Sequence, residues 1–76
     1  MTLAAMVWAD GAWSAAIERP ERAMAPELAR DAAEDWARDL SSDPTRPVWV
    51  GAWVQRKLVA YVLVVGDRLV WSAVWA

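Results

Sequence analysis

The C-terminal part of the chain constrains the fold most, because it contains three apolar segments separated by short turns. The segments VWVGAWV, LVAYVLVV and RLVWSAVW predict three antiparallel strands from Val48 onward. Their predicted turns are Arg56-Lys57 and Gly66-Asp67. Both faces of such a sheet are apolar, whereas a half-exposed antiparallel sheet alternates apolar with polar side chains. Both faces therefore need cover.

The predicted turns also assign each strand residue to one face of the sheet. The first turn places Val54 opposite Val59, and the second places Val62 opposite Trp71. One predicted face then carries four tryptophans and two valines, which are Trp49, Trp53, Trp71, Trp75, Val62 and Val64. The other predicted face includes Val48, Val50, Tyr61 and Leu63.

A hairpin signal lies near the N-terminus, because Asp10-Gly11 stands between two apolar runs. A two-residue turn there places Trp8 opposite Trp13 as a cross-strand aromatic pair. The flanking strands are predicted over about residues 3–9 and 12–17.

An irregular link over residues 19–25 leads to Pro26, which suits the first position of a helix. Apolar residues then recur every four positions beside a row of alanines, which predicts an amphipathic helix over about residues 26–41. The apolar row consists of Leu28, Ala32, Trp36 and Leu40. We therefore predict a single α+β domain over residues 1–76, with the order ββαβββ. Its antiparallel sheet has about five strands, and one helix packs on one face.

One helix is too narrow to cover this sheet. A helix is about 10 Å across and strands lie about 4.8 Å apart, so it shields about two strands of one face. The candidates to cover the rest are the N-terminal hairpin, a second copy of the chain and a different partner, and two interpretations of the Trp residues remain open. Either the sheet curls and the seven Trp residues fill one core, or at least two of Trp49, Trp53, Trp71 and Trp75 contact another chain.

The composition supplies few catalytic groups, because the chain contains neither Cys nor His. Its serines therefore lack an imidazole base, and zinc sites built on sulfur are excluded. The single lysine, Lys57, is predicted in a solvated turn rather than in the desolvated pocket that a Schiff base needs. Carboxylate pairs such as Asp31 with Asp35 lie on one surface helix, which offers no cleft. We expect a non-enzymatic protein with no catalytic residue, metal or cofactor.

Charge and hydropathy limit the partners. The net charge is −2, and direct binding of nucleic acid is not expected because neutralising phosphates needs a basic patch. No Lys or Arg precedes the first apolar run, so no secretory signal is predicted. The longest apolar run, residues 58–65, is too short to span a membrane. These features predict a cytoplasmic protein that binds another protein, or a second copy of itself as a homodimer.

The segment VWVGAWVQRKLVAYVLVV resembles the central hairpin of the acetyltransferases related to histone N-acetyltransferases. In that family a similar strand pair precedes a loop that holds the pyrophosphate of acetyl-coenzyme A. The family's Arg/Gln-x-x-Gly-x-Gly/Ala loop has no counterpart in this sequence. A generic β-hairpin is therefore the preferred interpretation, and no binding of acetyl-coenzyme A is expected. A degenerate acyltransferase-like fragment stays the third alternative.

Carboxylates recur every four residues along the predicted helix, at Glu27, Asp31, Asp35 and Asp39, and we call them the acidic stripe. Arg30, Glu34 and Arg38 form a neighbouring ladder of alternating charge that partly neutralises the stripe. A solvated helix face is the preferred interpretation, and an acidic footprint for a basic partner is the alternative. The candidate partner-binding residues are Glu27, Asp31, Asp35, Asp39, Trp49, Trp53, Trp71 and Trp75.

In size, mild acidity and absence of a recognisable active site, the chain is similar to the small acidic proteins that phages encode against host defences, such as anti-CRISPR proteins. The resemblance lies in this profile and not in a motif, so it assigns no residue a role. It implies steric inhibition of a host complex that binds nucleic acid, in the cytoplasm of the host cell. The alternative is a homodimeric accessory or structural subunit without an inhibitory role.

Overall fold

The computed structural model describes residues 1–41 and 43–75. Within this part of the chain there are six strands and one helix. In chain order they are β1 (Thr2–Ala9), β2 (Ala12–Trp13), β3 (Ile17–Pro20), α1 (Pro26–Leu40), β4 (Pro47–Val54), β5 (Lys57–Val65) and β6 (Arg68–Val74).

The N-terminal hairpin turns where the sequence predicts. Asp10 and Gly11 have φ of 54° and 81°, and positive φ at both central residues is what a type I′ turn requires. Trp8 lies opposite Trp13, and their rings meet edge to face with centroids 5.5 Å apart. The predicted aromatic pair is confirmed.

The returning arm of this hairpin differs from the prediction. β2 ends at Trp13 and not at residue 17, and the chain pairs with β1 again as β3. The predicted irregular link is therefore wrong at Arg19 and Pro20, which belong to β3. A proline is tolerated here because β3 is an edge strand, whose outer side needs no N–H. Arg19 also ties β3 to the helix, with its guanidinium carbon 5.1 Å from the ring centroid of Trp36.

The helix ends one residue before its predicted C-terminus. Pro26 begins it, and the N–H of Ser41 closes it on the carbonyl of Ala37 at 2.9 Å. The buried residues of α1 are Ala29, Ala33 and Ala37, whereas Leu28 is 58% exposed. The row of alanines thus faces the sheet, because small side chains allow helix and sheet to approach closely.

The β4–β5 turn lies one residue before its predicted position. Gln55 and Arg56 form it, with φ of 49° and 66°, and Val54 pairs with Lys57 rather than with Val59. Gln and Arg rarely adopt positive φ, so the residue types at positions 55 and 56 did not indicate a turn there. The displaced turn alone would keep each side chain on its predicted face, as it does for Trp53 and Leu58, but a bulge after Ala52 shifts the register by one residue. From Ala60 onward, β5 therefore presents the opposite set of side chains to each face.

The β5–β6 ladder begins as predicted, with Val65 opposite Arg68, but an irregularity between Leu63 and Val64 then shifts its register. Leu63 lies opposite Trp71, so the predicted pairing of Val62 with Trp71 is wrong. The register shift between β4 and β5 and the shift between β5 and β6 compensate each other, so β4 and the part of β6 from Trp71 onward keep their predicted faces. The four C-terminal tryptophans do share one face, but with Tyr61 and Leu63 rather than with Val62 and Val64.

The strands form one antiparallel sheet in the order β2-β1-β4-β5-β6, and β3 pairs with the first half of β1. α1 packs mainly over β4 and β5. The buried core between helix and sheet contains only small and aliphatic side chains, namely Leu3, Ala5, Ala29, Ala33, Ala37, Val48, Val50, Ala52, Ala60, Val62 and Val64. The predicted α+β fold is confirmed, with its second strand divided in two.

Candidate functional site

The face of the sheet that α1 does not cover is apolar and rich in aromatic side chains. Met6 lies opposite Trp49, Trp49 opposite Leu63, and Leu63 opposite Trp71, so one apolar row crosses four strands. Trp53 and Leu58 form a neighbouring pair on the same face. We define the aromatic face as Met6, Trp49, Trp53, Leu58, Tyr61, Leu63, Trp71 and Trp75.

All seven Trp residues lie within the described part of the chain, and none belongs to the buried core. Trp71 is 59% exposed and Trp75 is 47% exposed, while Trp49 and Trp53 are partly buried. The alternative in which the tryptophans fill one core is therefore wrong. The chain folds around Val, Ala and Leu side chains and leaves its largest apolar groups in contact with water.

Three aromatic rings lie side by side across β4, β5 and β6. The ring centroids of Trp49 and Tyr61 are 6.1 Å apart, and those of Tyr61 and Trp75 are 5.7 Å apart. The planes are tilted by 30° and 33°, within the range of offset aromatic contacts. These contacts hold the indoles of Trp49 and Trp75 in place although neither is in the core.

Gly51 provides the space for this arrangement. A Cβ atom at Gly51 would lie 2.5 Å from Cη2 of Trp49 and 2.9 Å from Cδ1 of Leu58. The indole of Trp49 therefore lies along the sheet, over the backbone of Gly51, and it buries that glycine. The result is a flat, preorganised aromatic surface in the middle of the face.

Charged side chains lie at the margins of the aromatic face. Glu18 lies on the edge strand β3, Arg68 at the start of β6, and Arg56 in the β4–β5 turn. Glu18 and Arg56, together with Thr2 and Trp53, line a shallow hollow of about 390 Å³. The face thus combines an uncharged aromatic centre with a margin that carries both signs of charge.

The acidic stripe lies on the side of α1 that points away from the sheet. Its four residues are all exposed. Each of the four carboxylates is two positions away from a buried alanine. Two positions correspond to a rotation of about 200° around a helix, so the carboxylates lie opposite the alanines. The stripe is therefore on the outer surface of the molecule, with the whole thickness of helix and sheet between it and the aromatic face.

The ladder beside the stripe has formed. Glu34 accepts hydrogen bonds from Arg30 and from Arg38, each at 2.9 Å for the closest pair of atoms. The bond from Arg38, followed by that from Arg30, holds the pKa of the Glu34 carboxyl below its ordinary value, although partial burial opposes this. Arg38 also donates to the carbonyl of Asp67, and Arg30 pairs with Asp31. One acid of the stripe is therefore directly neutralised.

The eight predicted partner-binding residues thus fall on two separate surfaces. Trp49, Trp53, Trp71 and Trp75 come together on the aromatic face, and the four carboxylates lie on the opposite side of the molecule. A flat partner cannot touch both sets at once. Tyr61, Leu63 and Met6 were missed as members of the aromatic face, because the register of β5 was wrong and the neighbour of β1 was not predictable.

The rest of the described chain offers little further chemistry. Lys57 is exposed and is the first residue of β5 rather than part of a turn. Residues 1–41 and 43–75 contain no group of three or more His, Cys, Asp or Glu side chains able to hold a metal ion. No helix in the same residues is long and apolar enough to cross a membrane.

Comparison of this chain with protein-family models, with curated proteins and with solved structures finds no match. Its function must therefore be inferred from the geometry of its own surfaces.

Proposed function

We propose that this protein acts without catalysis, by binding a partner protein on the aromatic face of its sheet. The observation that carries the proposal is the exposure of Trp71 and Trp75 on an apolar face that no described element of the chain covers. Tryptophan and tyrosine are enriched among the residues that dominate the energy of protein interfaces. An uncharged aromatic centre with a charged margin is also the usual arrangement of such an interface.

The size of the face supports this interpretation. The two larger dimensions of the molecule are 32 and 22 Å, which enclose roughly 700 Å². A standard interface buries about 800 Å² on each partner. The rectangle bounds the whole molecule and is slightly smaller than that area, so the aromatic face suits an interface at the small end of the range, and its preordered rings lose little side-chain entropy on binding.

The absence of catalysis is part of the proposal. It is supported by the lack of Cys and His in the sequence and by the exposure of the only lysine. The hollows on the surface are shallow, and the one beside Trp53 has a single carboxylate and a single guanidinium in its wall. Such a pair suits the rim of an interface better than acid–base chemistry, which needs groups with matched and perturbed pKa values.

The narrower form of the proposal is an inhibitor of a host complex that binds nucleic acid, as in the anti-CRISPR type, acting in the host cytoplasm. The geometry suggests how one molecule could use both of its surfaces. The aromatic face would anchor the protein on the complex, while the acidic stripe on the far side would repel the phosphates of incoming nucleic acid. The net charge of −2 and the exposure of the stripe support this form.

A homodimeric subunit without an inhibitory role is the second candidate. The thin margin of stability expected for a chain of 76 residues favours it, because small domains are commonly stabilised by a second subunit. Self-association itself is compatible with partner binding if it uses a surface other than the aromatic face.

The test is capture of partners from lysate of the source cell, comparing two substitutions at equally exposed apolar residues. Trp71 is 59% exposed on the aromatic face, and Leu28 is 58% exposed on α1. We expect a partner retained by wild type and by Leu28→Lys to be lost with Trp71→Lys. The proposal is wrong if both variants retain the same proteins as wild type, while circular dichroism shows both folded.

A third variant tests the role of the acidic stripe. Replacing Asp31, Asp35 and Asp39 by Lys should leave capture by the aromatic face intact, since these residues lie on the opposite side. If the stripe repels nucleic acid, this variant should still bind the host complex but should no longer prevent that complex from binding nucleic acid. Fluorescence anisotropy of labelled nucleic acid measures this. Loss of capture would instead place the binding site on the helix.

A further inference from the structure

The two edges of the sheet differ in how they are protected. The edge strand β3 reads Ile17-Glu18-Arg19-Pro20, and charges with a proline are the features that discourage an edge from pairing with another strand. The opposite edge, β6, has no charged residue after Arg68 and no proline. Its only neighbour in the described chain is β5. The irregularity that leaves Val70 without a partner on β5 is the only protective feature of this edge in the described chain, so β6 is the less protected edge and its regular part runs from Trp71 onward.

The hydrogen bonding of β6 shows which of its backbone groups are free. The N–H of Trp75 donates to the carbonyl of Val59 on β5 at 2.9 Å. Since peptide groups alternate in direction along an antiparallel strand, those of Ala73 and Trp71 also point towards β5. The N–H and C=O groups of Ser72 and Val74 consequently point outward, away from the sheet.

We propose that β6 pairs antiparallel with β6 of a second copy of this chain, with Ser72 opposite Ser72 of that copy. The outward N–H and C=O of the two serines then exchange two hydrogen bonds. The same register places Trp71 opposite Ala73 of the other copy, a large residue against a small one, and Val70 opposite Val74. This self-complementarity, with no like charges facing each other from Val70 to Val74, favours a second copy over an unrelated strand.

The helices leave room for this pairing. α1 lies over β4 and β5, so its axis is about two strand spacings from the outer margin of β6. The two helices of the dimer would be roughly 19 Å apart, whereas packed helices need about 10 Å. Because the symmetry axis of an antiparallel strand pair is normal to the sheet, both aromatic faces lie on the same side. The dimer thus presents one continuous aromatic face, in which only Trp71 also contacts the other copy, and it stabilises a small domain while the rest of the proposed binding surface stays free.

The natural absence of Cys permits a direct test by cross-linking. Opposed Cα atoms of a hydrogen-bonded antiparallel pair are about 5.5 Å apart, which is within the range that a disulfide spans. We expect Ser72→Cys to form a covalent dimer on mild oxidation, as judged on non-reducing gels. Ala15→Cys, an exposed residue beyond the opposite edge, is the control and should stay a monomer. Equal cross-linking of the two variants would overturn the proposal.

Analytical ultracentrifugation of chains that carry no introduced Cys provides the second measurement. Wild type should be a reversible dimer somewhere between about 1 and 200 µM, and a monomer throughout this range would overturn the proposal. Val70→Lys should raise the dissociation constant at least about tenfold, whereas Ile17→Lys on the other edge should not change it. Both residues are similarly exposed, at 43% and 48%, so neither change should unfold the chain.

These experiments also distinguish edge pairing through β6 from partner binding on the aromatic face. A dimer that survives Val70→Lys but is lost with Trp49→Ala would place self-association on the aromatic face and overturn the edge pairing. Edge pairing would stand, and partner binding would fail, if Ser72→Cys cross-links while Trp71→Lys captures the same proteins as wild type.

Discussion

The two faces of the sheet are both apolar, yet they differ in the size of their side chains and in what covers them. The face under α1 carries Val48, Val50 and Ala52 from β4, all fully buried. The opposite face carries Trp49 and Trp53 from the same strand, both partly exposed. β4 therefore alternates small with aromatic side chains, where a half-exposed strand usually alternates apolar with polar ones. Small residues mark the side that α1 covers, and aromatic residues mark the side that no described element covers.

In the proposed function, this difference separates the residues that stabilise the fold from those that bind a partner. The core residues of the covered face and the alanines of α1 exclude water completely, so they gain the full free energy of apolar burial. The tryptophans of the aromatic face contact water in the isolated chain and would gain that free energy only in a complex. Large side chains here should accordingly matter less for folding than small ones on the covered face.

The largest expected effect is at the covered face. Leu3→Ala removes a fully buried side chain and should lower the free energy of unfolding by about 3 kcal/mol, out of a total of about 4 to 11 kcal/mol for a chain of this length. Leu28→Ala is the matched control, and it should change stability by less than about 0.5 kcal/mol because Leu28 is exposed. Trp71→Ala, though a larger deletion, should cost less than about 1 kcal/mol. Urea denaturation measures all three.

The proposed difference between the two faces is wrong if Trp71→Ala destabilises the chain as much as Leu3→Ala does. That result would mean that the aromatic face is folded into the core of the isolated protein in solution.

Local signals in the sequence predicted the elements well. Asp10-Gly11 supports positive φ at low cost, so the first hairpin and its Trp8–Trp13 pair followed from the turn alone. Pro26 and the periodicity after it placed the helix to within one residue. These features depend on neighbouring residues, which is why a single sequence reveals them.

The register of β5 and the partners of β1 could not be predicted in the same way. Gln55 and Arg56 adopt positive φ against their preference, because the strands on both sides gain more from pairing than the turn loses. The bulges that shift β5 against its neighbours leave no mark in the apolar pattern when both faces are apolar. The contact of β1 with β4 joins strands that are separated by the whole helix, so only tertiary packing decides it.

The aromatic face can be examined through the glycine beneath it. Gly51→Ala would place a methyl group 2.5 Å from the indole of Trp49, which must then move off the sheet. We expect a loss of about 1 kcal/mol and a changed Trp fluorescence spectrum. In the Trp49→Ala background the same substitution should cost less, since only the terminal Cδ1 of Leu58, 2.9 Å from the new methyl group, then has to shift.

This double-mutant cycle measures the coupling between Gly51 and Trp49 directly. If Gly51→Ala costs the same in both backgrounds, Trp49 does not lie over Gly51 in solution, and the flat aromatic surface proposed for binding does not exist in the free protein.

The smallest effect concerns the outer side of α1, which belongs to neither face. The hydrogen bonds from Arg38 and Arg30 lower the pKa of Glu34 in the folded chain relative to the unfolded one. A lowered folded pKa means that the ionised carboxylate stabilises the fold at neutral pH, and that this contribution disappears as the pH falls from about 4.5 through the folded pKa.

Glu34→Gln should therefore lower the free energy of unfolding by less than about 1 kcal/mol near neutral pH, because the ladder is close to water. The difference from wild type should vanish once the pH has fallen below the folded pKa, because Glu34 is then protonated in both states. Asp35→Asn is the control, since it removes an exposed carboxylate from the same helix without touching the ladder. A Glu34→Gln variant equal to wild type at neutral pH would show that the ladder adds nothing to the covered face, which would then hold α1 by apolar burial alone.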